Sequence, residues 1–268
     1  MKKLQLFTVA AALMMTVGCA QHYYYVPAGG ASAKGGTRIL GIERTRIVVD
    51  SRYDLNPDER AVAFLAPYKQ KVDSVMGPMV GTVARNMHAD RPESELSNLL
   101  ADILVWAAPK YGENPVLGIY NMGGIRSDLI KGEVTYGDVL DVAPFENKIA
   151  FTTLSGKKLM ELFRQIARRG GEGVSHGAEL VISGDGKLLS ARLNGKEIDP
   201  DASYRITTID YLIGGNDGMP ALSEGTGLVS PQEVSNNTRF IIMDYFKECK
   251  AKNIAVDAQV EGRITVKN

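Results

Sequence analysis

Val116-Leu117-Gly118-Ile119-Tyr120-Asn121-Met122-Gly123-Gly124-Ile125-Arg126 runs from an apolar stretch into a polar turn that holds two adjacent glycines. A short apolar run bounded by turn signals reads as a buried strand. The glycines let the backbone turn sharply and let a ligand approach, because no Cβ stands in the way. An amide precedes them and a guanidinium follows. The planar fork of an arginine matches phosphate or carboxylate oxygens. A polar turn at the carboxyl end of a strand is also where open sheets of α/β type bind ligands. On this stretch alone, a plain turn with a solvated arginine remains an equal reading.

Outward from this strand the chain alternates helices and strands. Asn56-Pro57-Asp58-Glu59 predicts a helix start, with Asn56 as the N-cap and Pro57 at the first helical position. Leu65, Tyr68, Val72, Val75 and Met76 follow at helical spacing, with a kink expected at Pro67 and an end at Gly77-Pro78. Leu96, Leu99, Leu100, Ile103 and Leu104 define a second amphipathic helix that stops before Pro109. A third starts at Ser155, buries Leu159, Leu162, Phe163 and Ile166, and closes at Gly170-Gly171. The last is expected to open at Ser230-Pro231-Gln232-Glu233 and to carry Val234, Ile241, Ile242 and Tyr245. Strands are expected over Ile149 to Thr153, Ala178 to Ile182, Leu188 to Leu193, Tyr204 to Thr208, Val256 to Val260 and Arg263 to Val266. Gly184-Asp185-Gly186 and Asn194-Gly195 mark turns between them. This order predicts one α+β domain, a mixed sheet flanked by helices, over residues 37–268.

The 268 residues are 44% hydrophobic and 23% charged, ordinary for a soluble globular protein. Basic and acidic side chains balance at 31 each, so nothing steers the chain as a whole toward nucleic acid, and any anion site must be local. Lys2 and Lys3 precede a mostly apolar stretch from Leu4 to Val17, too short to span a bilayer and fitting a signal peptide over residues 1–18. Thr16-Val17-Gly18-Cys19 resembles a bacterial lipobox, although Thr16 stands where Leu is usual. The resemblance implies a lipid on Cys19 and an exported lipoprotein held on the periplasmic or outer-membrane face without spanning the membrane. A secreted soluble protein cleaved nearby is the other reading. Residues 19–36, with a tyrosine triplet among small residues, read as a flexible tether. Arg38 to Val49 alternates as an edge strand would. If Cys19 is lipidated, Cys249 has no disulfide partner.

Two further stretches bear on function. Ala143-Pro144-Phe145-Glu146-Asn147 and Asp210-Tyr211-Leu212-Ile213-Gly214-Gly215-Asn216-Asp217-Gly218 each place a large ring in a turn rich in Pro, Gly or Asn. Residue type alone leaves two readings open: rings that cap the core, and rings that grip a flat ligand. Asp217 is by itself either a turn-forming aspartate or an acceptor for a diol.

Taken in order, the N-x-G-G-I-R turn, the P-F-x-N turn and the aromatic residue ahead of a glycine-rich D-G turn resemble the C-terminal substrate-binding domain of the 5′-nucleotidase/UDP-sugar hydrolase family. The resemblance runs from about Asn56 to Val266. It implies that Phe145 and Tyr211 clamp a nucleobase, with Tyr211 where Phe is commoner. It implies that Asp217 binds the ribose, that Asn121 hydrogen-bonds the ligand and that Arg126 lies near the phosphate or ribose. Gly123 and Gly124 belong to the same turn. Arg91 stands about where another family arginine does, offset by a residue or so.

The full-length enzymes of that family carry a metallophosphoesterase domain whose two metals activate water. This sequence has three histidines, His22, His88 and His176, none at ligand spacing to another, and no nucleophile elbow or P-loop. No catalytic residue, metal ligand or cofactor is therefore expected here, and divalent metals are expected only on a partner metallophosphoesterase chain. The leading expectation is the nucleotide- or nucleoside-binding half of a split phosphohydrolase. A solitary nucleoside-binding lipoprotein, a structural lipoprotein and an independent hydrolase are the alternatives.

Overall fold

Strand pairing in the computed structural model, which describes residues 51–53, 55 and 57–267, brings the turns singled out above to one end of a five-stranded sheet. The signal peptide, Cys19, the tether, the strand expected over Arg38 to Val49 and the Asn56 cap lie outside the described residues. The chain divides into two compact units, Met1–Phe64 and Leu65–Asn268. Of the first, the described residues include a 3-10 turn at Ser51–Tyr53 and the opening of the first helix.

The helices are α1 (Glu59–Met76), α2 (Glu95–Ala107), α3 (Tyr136–Val142), α4 (Gly156–Arg168), α5 (Asp210–Ile213) and α6 (Thr238–Ala251). The strands are β1 (Met79–Val83), β2 (Leu117–Tyr120), β3 (Gly132–Thr135), β4 (Ile149–Ser155), β5 (Gly173–Val174), β6 (Ala178–Ser183), β7 (Leu188–Leu193), β8 (Lys196–Glu197), β9 (Ser203–Ile209), β10 (Thr226–Val229) and β11 (Ile264–Lys267). They form three sheets where one was expected: β1-β3, β10-β4-β9-β2-β5 and β11-β6-β7-β8. The two larger sheets are mixed, with β2 parallel to β9 and β11 parallel to β6. The α+β class is as expected.

Local chemistry explains most boundaries. Ser94 caps α2 by accepting the amide of Ser97, whose hydroxyl accepts the amide of Ser94 in return. The same reciprocal pair joins Thr135 and Asp138 at the start of α3, a helix the sequence reading did not anticipate. Ser155 caps α4, and Leu159, Leu162, Phe163 and Ile166 along one face of it are wholly buried. Each such side chain contributes roughly 1.5–3 kcal/mol of hydrophobic stabilisation. β2 is buried at every position, as its apolar run predicts.

Three expectations are corrected. α1 begins at Glu59, beyond Pro57, and the Asp58 carboxylate accepts the amides of Arg60 and Ala61. The last helix begins at Thr238, not after Ser230-Pro231. Thr238 donates its amide to Asn147 and Asn237 bridges Lys148, so a long-range pairing overrides the local cap signature. Val234 is left exposed in a 3-10 turn. Val256 to Val260 forms no strand; Val256 alone makes a bridge, to Val83. Among the described residues no helix is long and apolar enough to cross a membrane.

Candidate functional site

Four strand ends deliver the site. β2 and β9 are adjacent and parallel, with Leu117 opposite Ile206 and Gly118 opposite Thr207, so both carboxyl ends lie on the same side. β2 releases Asn121 into a 3-10 turn at Met122–Gly124, and β9 releases α5 and the Gly214–Gly218 turn. β4 is antiparallel to β9, and Ile149 pairs with Ile209. The segment that enters β4, carrying Phe145, therefore starts where Tyr211 begins, and Asp210 donates its amide to the Lys148 carbonyl at 2.9 Å. β5 is antiparallel to β2, and Tyr120 pairs with Gly173, which brings the end of α4 and the residues up to Glu172 to the same end.

Asp217 is the hub. Its backbone takes a left-handed conformation, φ 54°, and its carboxylate is mostly covered. Buried Asn121 donates Nδ2 to Asp217 Oδ2 at 2.7 Å, and the Tyr211 hydroxyl donates to Oδ1 at 3.2 Å. Asn121 Oδ1 has no hydrogen-bond partner among the described residues. A Cβ on Gly124 would stand 2.6 Å from that oxygen, so a side chain there collides with it, whereas one on Gly123 would sit at ordinary contact, 3.5 Å from Asp217 Oδ2. The negative charge of Asp217 raises the Tyr211 phenol above its usual pKa, and their hydrogen bond adds to the effect.

Arg126 is exposed; its Nη1 reaches the Gly123 carbonyl at 3.4 Å, and its amide donates to the Val142 carbonyl, tying this turn to the end of α3 just ahead of Phe145. Phe145 and Tyr211 are 47% and 41% exposed and make no ring contact with each other. Arg91 joins the cluster from the loop before α2. Its Nε donates to the Gly171 carbonyl at 2.9 Å and its Nη2 to Glu172 Oε1 at 2.6 Å.

Glu172 and Arg169 were not picked out from the sequence. The Glu172 side chain is fully buried. Its Oε1 also accepts Arg169 Nε at 2.5 Å, and its Oε2 accepts the Met122 amide at 2.5 Å. Arg169 Nη2 stands 3.8 Å from Asp217 Oδ2. The only sequence signal was a pair of arginines running into Gly170-Gly171-Glu172-Gly173, which reads as a helix C-terminus. The site thus combines three arginines with two carboxylates, an anion-accepting balance with two exposed rings beside it.

Among the described residues no three or more His, Cys, Asp or Glu side chains are placed to hold a metal ion. His88 pairs with Asp128 at 2.9 Å and His176 with Glu261 at 2.8 Å. A dimetal centre does not fit this donor set, and no hydrolytic step is assigned to these residues.

Residues 75–224 match the family model described as 5′-nucleotidase, C-terminal domain. The chain is similar to a 5′-nucleotidase of Vibrio vulnificus, 27% identical over 218 residues, which cover 79% of this chain and 37% of that protein. It is similar to Protein UshA of Escherichia coli, 24% identical over 210 residues, covering 77% and 37%. The crystal structure of a 5′-nucleotidase precursor from Thermus thermophilus superposes with a TM-score of 0.68 at 27% identity, covering 78% of this chain and 43% of that one. The chain spans a little over a third of the length of these curated relatives. With the family model covering more than half of its residues, the chain belongs to the 5′-nucleotidase C-terminal domain family.

Proposed function

We propose that this chain is the nucleotide- or nucleoside-binding half of a split 5′-nucleotidase-type phosphohydrolase, with divalent metals supplied by a separate metallophosphoesterase chain. The observation that carries this reading is the convergence of Asn121, Arg126, Phe145, Tyr211 and Asp217 on one sheet end. Phe145 and Tyr211 hold the base between their faces, each face worth roughly 1–3 kcal/mol on the precedent of base stacking. Asp217 and Asn121 take the sugar and the base edge, and Arg126 the phosphate side, with Arg91 beside them on the substrate-binding face. Gly123 and Gly124 leave the approach to Asp217 open. Hydrolysis of a 5′-nucleotide to nucleoside and phosphate takes place on the partner's metals, while this chain binds and orients the substrate.

Cys19, in its lipobox-like setting, anchors the protein to the membrane through lipid on the exported side. Calorimetry with adenosine, AMP and UDP-glucose tests the pocket, and absence of heat with all three would refute it. The purified chain is expected to show no phosphatase turnover with added Mn²⁺ or Zn²⁺. Copurification of a metal-bearing companion from native membranes supports the split enzyme. Ligand binding without any companion selects a solitary binding lipoprotein instead.

A further inference from the structure

Asp217 has a cationic neighbour whose hydrogen-bonding capacity is only partly used. Arg169 Nε is committed to Glu172, but its Nη groups make no hydrogen bond among the described residues. Nη2 lies 3.8 Å from Asp217 Oδ2, beyond hydrogen-bond reach, and Nη1 lies 4.0 Å from where a Cβ on Gly218 would stand. The guanidinium is held from behind. Glu172 is buried, and its Oε1 grips both Arg169 and Arg91. Two donors at 2.5 and 2.6 Å from one oxygen stand no more than about 5 Å apart. Arg169 is thus anchored at Nε, with its Nη2 edge beside Asp217 Oδ2.

The donor and acceptor balance at Asp217 points to what fills that space. Each carboxylate oxygen accepts one protein donor, Oδ1 from Tyr211 and Oδ2 from Asn121, and each keeps further acceptor capacity. A vicinal diol can donate both of its protons to that capacity. Each hydroxyl oxygen then becomes an acceptor in need of a donor, and a carboxylate cannot supply one. The unused Nη edge beside Oδ2 can.

We propose that Arg169 is a ligand-contacting, specificity-determining residue: it donates from Nη2 to one hydroxyl oxygen of a ribose diol whose protons Asp217 accepts, with Glu172 as the positioning residue. This rests on the nucleoside reading above and adds a charged donor to the sugar edge. A merely structural Arg169, tying the end of α4 to Glu172, would affect folding stability and leave sugar discrimination alone.

The test is calorimetry on the full chain with adenosine, 2′-deoxyadenosine and 3′-deoxyadenosine. The unaltered protein is expected to favour adenosine over at least one deoxynucleoside by about tenfold or more, the scale of a hydrogen bond to a charged group. Arg169→Gln is expected to reduce that ratio to about twofold while leaving affinity for the discriminated deoxynucleoside within about twofold. Arg169→Lys keeps the charge but cannot hold Glu172 and reach the diol together. It is expected to lose the ratio likewise and to remain folded by circular dichroism if Arg169→Gln does not. Heat with none of the three ligands would overturn the nucleoside reading and this proposal together. Binding without discrimination by the unaltered protein would overturn the diol assignment and with it the proposal. A ratio lost in Asp217→Asn but intact in the folded Arg169 variants would overturn the proposal alone.

Discussion

Asn121 and Asp217, 96 positions apart in the chain, are joined by a hydrogen bond of 2.7 Å from Nδ2 to Oδ2. The donor is a buried amide and the acceptor a carboxylate oxygen. Asn121→Asp would set two carboxylates against each other at that distance. The expected outcome is a loss of roughly 1–3 kcal/mol of folding stability together with loss of nucleoside binding. Denaturant titration and calorimetry on the same preparation check both.

The paired glycines are expected to differ in what they tolerate. Gly124→Ala places a methyl group 2.6 Å from buried Asn121 Oδ1 and should cost about 1–3 kcal/mol in stability. Gly123→Ala meets nothing closer than 3.5 Å and should leave the melting temperature nearly unchanged. Its methyl group sits over Asp217 Oδ2, so ligand affinity should fall. Thermal melts and ligand titrations on the two variants separate the effects, and an equal loss of stability in both would contradict the account.

Removing the rings should act on binding and spare the fold. Phe145 and Tyr211 are each more than a third exposed, so replacement by Ala should change stability by about 0.5 kcal/mol or less. Each replacement should weaken nucleoside binding by roughly 1–3 kcal/mol, and the double variant should abolish base-dependent affinity. Unchanged binding by the double variant would refute the clamp.

His88 supplies a pH prediction. Its hydrogen bond to Asp128, the charge of Asp128, and to a lesser degree the charges of Glu95 and Asp90 hold the imidazole pKa above its ordinary 6.5. The folded-state pKa is raised, so whatever this pair contributes to stability is fully present below about pH 6.5 and is lost as pH climbs through the higher folded-state value. An NMR titration of the imidazole should show a midpoint above 6.5. Asp128→Asn should bring it back toward that value.

Much of this architecture can be read from local pattern, and the exceptions have identifiable causes. The apolar run of β2 and the buried face of α4 follow from hydrophobic placement that needs no partner to be recognised. The start of α6 could not be read from its flanks, because Ser230-Pro231-Gln232-Glu233 is a sound local cap signature outweighed by the contacts of Asn237 and Thr238 with Lys148 and Asn147. Thr135 and Asp138 stand at capping-box spacing, a local signal that α3 uses in full. At the site, Asn121, Tyr211 and Asp217 meet directly, and pairing of Ile149 with Ile209 brings the Phe145 segment to the same sheet end. Arg169 and Glu172 were hidden because charges beside glycines at a helix end look solvated. The groups that bury Glu172 include the Met122 amide and Arg91, 50 and 81 positions away.

A single carboxylate that serves two guanidiniums and a main-chain amide has an evolutionary consequence. Loss of Glu172 takes the shared acceptor from Arg91, Arg169 and the Met122 amide at once, so a change at Glu172 should travel with changes at the two arginines. A library built to retarget this site should therefore randomise all three codons jointly wherever Glu172 is varied.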